Sequence, residues 1–165
     1  MKLTNPTMAK RKLSDEADLK FVHEAKWSEE TKTIGVEIKD FLVKIDDLEN
    51  KKKPIHSPSF KLADKELGVY VYPQDRRENS GEFISVYLAN KSKERVTVTV
   101  TFKSSSGGKY SRKKCLIEAG LGLGLGNFLS HDDFKKWARE NDDIFRLEVE
   151  VTLHVEGPGT WTTER

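Results

Sequence analysis

The sequence has little cysteine: Cys115 is the only one among its 165 residues. One cysteine excludes a disulfide framework within the chain. The sequence also lacks an apolar run long enough for a signal peptide or a membrane span. We therefore predict a protein of a reducing compartment, cytoplasmic or nuclear, with no membrane partner.

Residue patterns that hold metals or carry out catalysis are scarce. The four histidines are scattered, with neither a His-x-x-x-His spacing nor a cysteine partner suited to zinc. We predict no metal site and no cofactor. A Ser-His-Asp triad could assemble from distant residues, but the sequence has no Gly-x-Ser-x-Gly motif to mark a nucleophile. We predict that the protein is not an enzyme and has no catalytic residues.

The charge is balanced, and composition divides the chain into three parts. Lysine and arginine number 29 and aspartate and glutamate 27, a net charge of +2 that gives no electrostatic indication of a nucleic-acid partner. Residues 1–32 are polar with sparse apolar positions, which predicts a flexible N-terminal tail. We predict one domain over residues 33–156 and a C-terminal tail over 157–165.

Apolar residues alternate with polar ones over much of the predicted domain. This period of two is typical of strands and occurs at residues 34–38, 41–45, 69–72, 84–88, 96–102 and 145–155. Turn signals such as "PQDRRENSG" and "SSSGGK" separate these runs, and only "HDDFKKWAREN" has helical spacing. The pattern predicts an all-β fold, an antiparallel β-sandwich with one short helix.

The alternation also assigns faces to the predicted strands. On the strand around residue 86, Val86 and Leu88 are predicted to enter the core, which places Tyr87 on the opposite face. The predicted core comprises Val36, Phe60, Val71, Val86, Leu88, Phe128, Phe145, Leu147 and Val149.

The stretch "EAGLGLGLGNFLSHDD", residues 118–133, alternates glycine and leucine. It lacks the Lys and the Ser or Thr of a phosphate loop, and no βαβ unit surrounds it. Two interpretations remain open. Glycine either permits a close backbone approach or a positive φ within the fold, or the segment is exposed and its leucines contact a partner.

Five motifs occur in an order that resembles the MATH domain, the meprin and TRAF homology domain. They are "HSPSF", "GVYVYP", "FISVYL", "LGLGNFLSHDDF" and "NDDIFRLEVEV", and the likeness covers roughly residues 34–155, closest in pattern to the speckle-type POZ members of the family. The resemblance implies a MATH/TRAF-like sandwich of seven to eight strands. It also implies that one face binds short extended peptides by strand addition.

The resemblance implies a set of peptide-binding residues. Matched position by position, they are Tyr70, Tyr72, Tyr87, Val100, Leu123, Gly124 and Leu125. Leu123 and Leu125 replace aromatic residues of the family, which keeps the implied groove apolar but reduces its stacking area. Tyr70 stands where TRAF members have an arginine that binds an acidic motif, so that charge is missing from the matched position.

These expectations together predict a peptide-binding adaptor module. Its predicted partners are short linear motifs in other proteins, in ubiquitin-linked or receptor signalling pathways. The sequence lacks the heptads that trimerise TRAF proteins, so a monomer is predicted for the isolated chain. The alternative is a structural or self-association domain, with the groove filled by its own tail or by a neighbouring chain.

Overall fold

The computed structural model describes residues 18–22, 27–47, 53–74, 82–156 and 160–164. The strands in chain order are β1 (Asp18–Val22), β2 (Trp27–Lys39), β3 (Ile55–His56), β4 (Phe60–Leu62), β5 (Lys65–Tyr72), β6 (Phe83–Asn90), β7 (Val96–Ser104), β8 (Lys109–Ile117), β9 (Gly122–Ser130), β10 (Ile144–Glu156) and β11 (Thr160–Glu164). The helices are α1 (Phe41–Ile45) and α2 (His131–Glu140). The chain divides into two compact units, and the larger one is Glu29–His154. In the smaller unit, β1 pairs with β11 in antiparallel orientation.

Two antiparallel sheets build the larger unit. One has four strands in the order β2-β10-β7-β8, and the other has the order β3-β5-β6-β9 with β4 paired to β5. Val149 of β10 is paired with Phe102 of β7, and Val69 of β5 with Leu88 of β6. None of these four side chains is exposed, because the apolar faces of both sheets contribute to one core. The predicted all-β sandwich is confirmed.

Most of the predicted core residues are buried. The buried ones are Val71, Val86, Leu88, Phe128, Phe145, Leu147 and Val149. Val36 and Phe60 are half-buried and pack against this core from its margin. Period-two alternation therefore identified the core face of the central strands.

β2 begins at Trp27, before the first apolar alternation at Ile34. Residues 29–33 are exposed on both faces of the strand, so no apolar periodicity marks its first half. A side-chain contact of 2.8 Å between Thr31 Oγ1 and Thr152 Oγ1 joins this half to β10. The segments predicted as tails, residues 1–32 and 157–165, thus contain strands: β1 and the start of β2 in the first, and β11 in the second. Residues 1–17 lie outside the described residues, and the domain boundaries stay a prediction.

Residues 41–45, predicted as a strand, form the helix α1, so that prediction is wrong. A spacing of four places Phe41 and Ile45 on one face of a helical turn, while Val43 is 70% exposed. Asp40 adopts a left-handed conformation with φ 54° and ends β2. Asp143 stabilises the start of the helix, because its Oδ1 accepts a hydrogen bond of 2.8 Å from Leu42 N.

The predicted helix in "HDDFKKWAREN" is confirmed as α2. Ser130 caps it by accepting a 3.0 Å hydrogen bond from Asp133 N. Asp132 and Asp133 in the first turn and Arg139 in the last turn complement the helix dipole. In the described part of the chain, no helix is long and apolar enough to cross a membrane.

His131, the first residue of α2, is half-buried against the segment at Pro73. Its Nε2 donates a hydrogen bond of 2.6 Å to the Pro73 carbonyl oxygen. Burial lowers the pKa of His131, the Pro73 hydrogen bond opposes this shift, and the positive charge of Lys135 adds to it. The neutral ring is therefore the form that the fold favours.

We expect this histidine to make stability depend on pH. Because its pKa is lower in the folded chain than in the unfolded chain, the unfolded state binds the proton first as the pH falls below about 6.5. The His131 contribution to the unfolding free energy therefore declines on acidification. His131→Gln keeps an N–H donor but cannot titrate, so its stability should decline less between about pH 7.5 and about pH 5.5. Urea unfolding of both proteins measures this, and an equal pH dependence contradicts it.

Candidate functional site

Three tyrosines lie on the outer face of the five-stranded sheet. Tyr70 of β5 is paired with Tyr87 of β6, and Tyr72 follows Tyr70 two residues later on the same face. The residues that alternate with them, including Val71 and Val86, are fully buried. Since successive side chains of a strand point to opposite faces, the tyrosines point away from the core.

Ring contacts join two of these tyrosines to each other and the third to the sheet edge. The rings of Tyr72 and Tyr87 are 5.7 Å apart and nearly perpendicular, at 89°. The ring of His56 on β3 lies 4.3 Å from that of Tyr70. Edge-to-face and tilted contacts of this kind add to the burial of each ring, so they hold the aromatic side chains in place.

A row of small residues lies beside the tyrosines. Gly68 of β5 is paired with Ala89 of β6, which is paired with Gly122 of β9. Ala89 and Gly122 leave space above the sheet, and the side chain of Lys91 covers Gly68. A surface cavity of about 420 Å³ is present here, with Tyr70, Tyr72 and Tyr87 among its lining residues.

Asn90 and the turn before β9 form another wall of the cavity. Asn90 N donates to Leu121 O, and Gly120 N donates to Asn90 O, both at 2.9 Å. The Asn90 side-chain amide donates to Glu94 O at 2.8 Å and to Ile117 O at 3.0 Å. The Leu121 side chain is 59% exposed, so this wall presents apolar surface on a backbone fixed by hydrogen bonds.

We expect Asn90→Asp to destabilise the fold by about 1–3 kcal/mol, the scale of losing buried hydrogen bonds. The variant has the same shape but has no N–H groups to donate to the carbonyl oxygens of Glu94 and Ile117. Asn90 is 1% exposed, so water cannot compensate. Asn127→Asp, at an exposed position on β9, is the matched control. Urea unfolding should separate the two variants, and equal stabilities would show that the Asn90 contacts contribute nothing.

Most of the glycine-leucine stretch forms strand β9, and the leucines at positions 123 and 125 do not face the tyrosine cavity. Leu123 is paired with Leu88 and Leu125 with Val86, both core residues. Leu123 and Leu125 are half-buried and pack against the core. The prediction that Leu123 and Leu125 line the groove is therefore wrong, because both side chains lie on the core side of β9. The even alternation puts Gly124, and not the leucines, on the tyrosine face.

Gly124 is paired with Tyr87 and lies unusually close to β6. A Cβ atom at Gly124 would be 2.7 Å from Tyr87 Cα and would also collide with the Val86 carbonyl oxygen. The register of β6 and β9 shifts nearby, between Ile84 and Val86. The close approach predicted for this glycine thus exists, but the neighbour is a strand of the same sheet.

Val100 does not belong to this face. It lies on β7 in the other sheet, is paired with Val151 of β10, and has no exposed surface. Its side chain is part of the core because Val98, Val100 and Phe102 alternate with the partly exposed threonines of the same strand. The prediction that Val100 contacts a ligand is corrected for this reason.

The structure therefore brings together Tyr70, Tyr72 and Tyr87, with Gly124 beside Tyr87. The cavity also includes residues that were not predicted, and these are Ala89, Asn90, Lys91, Gly120, Leu121 and Gly122. Ala89 lies on the outer face of β6, two residues after Tyr87. The alternation of the sequence was therefore sufficient to predict its place. The place of Gly122 depends on strand register, which alternation alone does not provide.

Comparison with known proteins gives one family. The family model of the MATH domain matches residues 36–151, which is more than half of the chain. The match spans all three strands that carry the cavity, β5, β6 and β9. A search of curated proteins found no match.

Proposed function

Because this chain belongs to the MATH domain family, we propose that its tyrosine cavity binds a short extended segment of a partner protein. MATH domains are generally protein–protein interaction modules rather than enzymes. A binding role for the chain follows from its family. The finer assignment, to an extended peptide at this cavity, is the proposal.

Ala89 of β6 and Gly122 of β9, which are paired and line the cavity, are the observation that carries the proposal. A peptide backbone can lie close to the sheet only where no side chain intervenes, and these two small residues supply that space. Aromatic rings lie beside them, and the exposed Leu121 also lines the cavity. Tyrosine offers apolar area together with a hydroxyl for a peptide carbonyl, a combination common at protein interfaces.

The cellular setting is a further part of the proposal. Ubiquitin-linked or receptor signalling pathways, and a cytoplasmic or nuclear location, are predictions from the sequence. They concern partners that the chain would meet in the cell. The binding test below does not depend on them.

A display library of random peptides of about seven residues, enough for about 23 Å of extended chain, provides a probe. Peptides selected on the full chain would be titrated into labelled protein while backbone amide shifts are followed. We expect the largest shifts around Tyr70, Tyr87, Ala89 and Gly122. Shifts confined to the four-stranded sheet, or a failure of the library to yield any binding peptide, contradict the proposal.

The self-association alternative predicts a different concentration dependence. If a second copy filled the groove, the mass of the full chain measured by light scattering would rise with protein concentration, and added peptide would lower it. We expect the mass of one chain throughout. A peptide-sensitive dimer would favour the alternative.

A further inference from the structure

Among the residues that the structure describes, Lys91 is the one that lines the tyrosine cavity with a cationic side chain. We propose that Lys91 makes the cavity selective for segments with an anionic side chain beside the residue that contacts the tyrosines. This inference rests on the proposed function and specifies its ligand. Lys91 lies in the turn "NKSKE" and was not among the residues predicted to bind a peptide.

Several contacts position Lys91 at the cavity. Its backbone N–H donates a hydrogen bond of 2.8 Å to Glu66 O, which fixes the start of the turn after β6. Its side chain passes over Gly68, where a Cβ atom would lie 3.1 Å from Lys91 Cε. The Nζ atom lies 3.0 Å from Ser59 Oγ and 5.7 Å from the centre of the Tyr70 ring. The glycine thus leaves room for the lysine stem to lie along the sheet.

Within the described residues, the Lys91 amine contacts two neutral groups, the hydroxyl of Ser59 and the ring of Tyr70. A serine hydroxyl and an aromatic face both attract a cation, but neither cancels its charge. Among the described residues, no carboxylate forms an ion pair with Lys91, and no aspartate or glutamate lines the cavity. The nearby carboxylate of Glu94 pairs with Lys65 instead.

An anionic group on the ligand would therefore provide the Lys91 amine with a partner of opposite charge. The amine has three donors, and the hydroxyl of Ser59 accounts for one. A ligand carboxylate or phosphate at the cavity edge would gain a charge-assisted hydrogen bond. Because the lysine is exposed, we expect the gain in affinity to be about twofold to fivefold.

The test compares peptide selection on three forms of the full chain: wild type, Lys91→Met and Lys91→Glu. We expect wild type to enrich Asp or Glu at one peptide position, Lys91→Met to lose this enrichment, and Lys91→Glu to enrich Lys or Arg there. Reversal of the preferred charge would not follow from a merely structural role of Lys91. Lys93→Glu is the matched control, because Lys93 is exposed on the same turn but does not line the cavity.

Synthetic peptides then distinguish the chemical sources of the charge. One selected sequence is made with Glu, phosphoserine or Gln at the enriched position, and each version is titrated against wild type and Lys91→Met. Tighter binding of either anionic version than of the Gln version, on wild type alone, supports the proposal and identifies carboxylate or phosphate. Equal binding of all three versions to wild type overturns it.

The failure of this inference is distinguishable from failure of the proposed function. If peptides bind and lose affinity on Tyr87→Ala, but acidic enrichment is absent or persists in Lys91→Glu, only the role of Lys91 is overturned. If no peptide is selected, or if binding survives Tyr87→Ala, both proposals fall.

Discussion

We expect Phe145→Ala to lower the free energy of unfolding by about 3–5 kcal/mol, the usual range for truncating a buried phenylalanine. Phe145 has no exposed surface and stacks on Phe41, with ring centres 4.8 Å apart. Phe134 presents its ring at 65° to Phe145 at 6.0 Å. These rings join β10 to both helices, so the substitution removes contacts to two elements as well as leaving a cavity.

Val43→Ala provides the matched control for this cluster. Val43 lies on α1 between the buried Phe41 and Ile45 but is 70% exposed, so its truncation should change stability by less than about 0.5 kcal/mol. Urea unfolding of both variants gives the comparison. If Phe145→Ala were no less stable than Val43→Ala, the result would contradict the described packing of α1 and α2 on β10.

The second large effect is expected at Gly124. Gly124→Ala places a methyl group against the backbone of β6, at Val86 and Tyr87, where no flexible side chain can move aside. Overpacking of this kind costs about 1–3 kcal/mol, and here the strands must separate locally to relieve it. We therefore expect a loss of at least this size in a urea titration.

Gly35→Ala is the control for the glycine substitution. Gly35 lies on β2, has no atom within 4 Å of where its Cβ would be, and is exposed. Since alanine also restricts the unfolded chain, this control should be neutral or slightly stabilising. Equal stability of Gly35→Ala and Gly124→Ala would contradict the close pairing of β6 with β9.

The central strands and their faces were predictable because their chemistry is local. A strand buried on one face must alternate, and the alternation around Val86 correctly placed Tyr87 on the outer face. The segment 41–45 was not predictable in this way. Positions 41 and 45 fit both a strand and a helical turn, and only the exposure of Val43 and the bond from Leu42 N to Asp143 distinguish them.

To place the groove residues that the family resemblance implied, the strand register must be known as well as the sequence. Position matching does not state which face a side chain occupies, and this is why Val100, Leu123 and Leu125 were misplaced. The pairing of Leu123 with Leu88 assigns the leucines to the core side. Lys91 was not predictable, because its amine reaches the cavity only through the space above Gly68 on another strand.

The measurement that tests the central claim most directly is a paired determination of melting temperature and peptide affinity for Tyr87→Ala. The probe is a library-selected peptide, and Leu116→Ala, an exposed apolar residue of the other sheet, is the control. We expect Tyr87→Ala to melt close to wild type and to bind at least about tenfold more weakly, as for an interface anchor. Leu116→Ala should change neither quantity. Unchanged affinity for Tyr87→Ala, or a fall in melting temperature as large as that of Phe145→Ala, would contradict the assignment of this face to ligand binding.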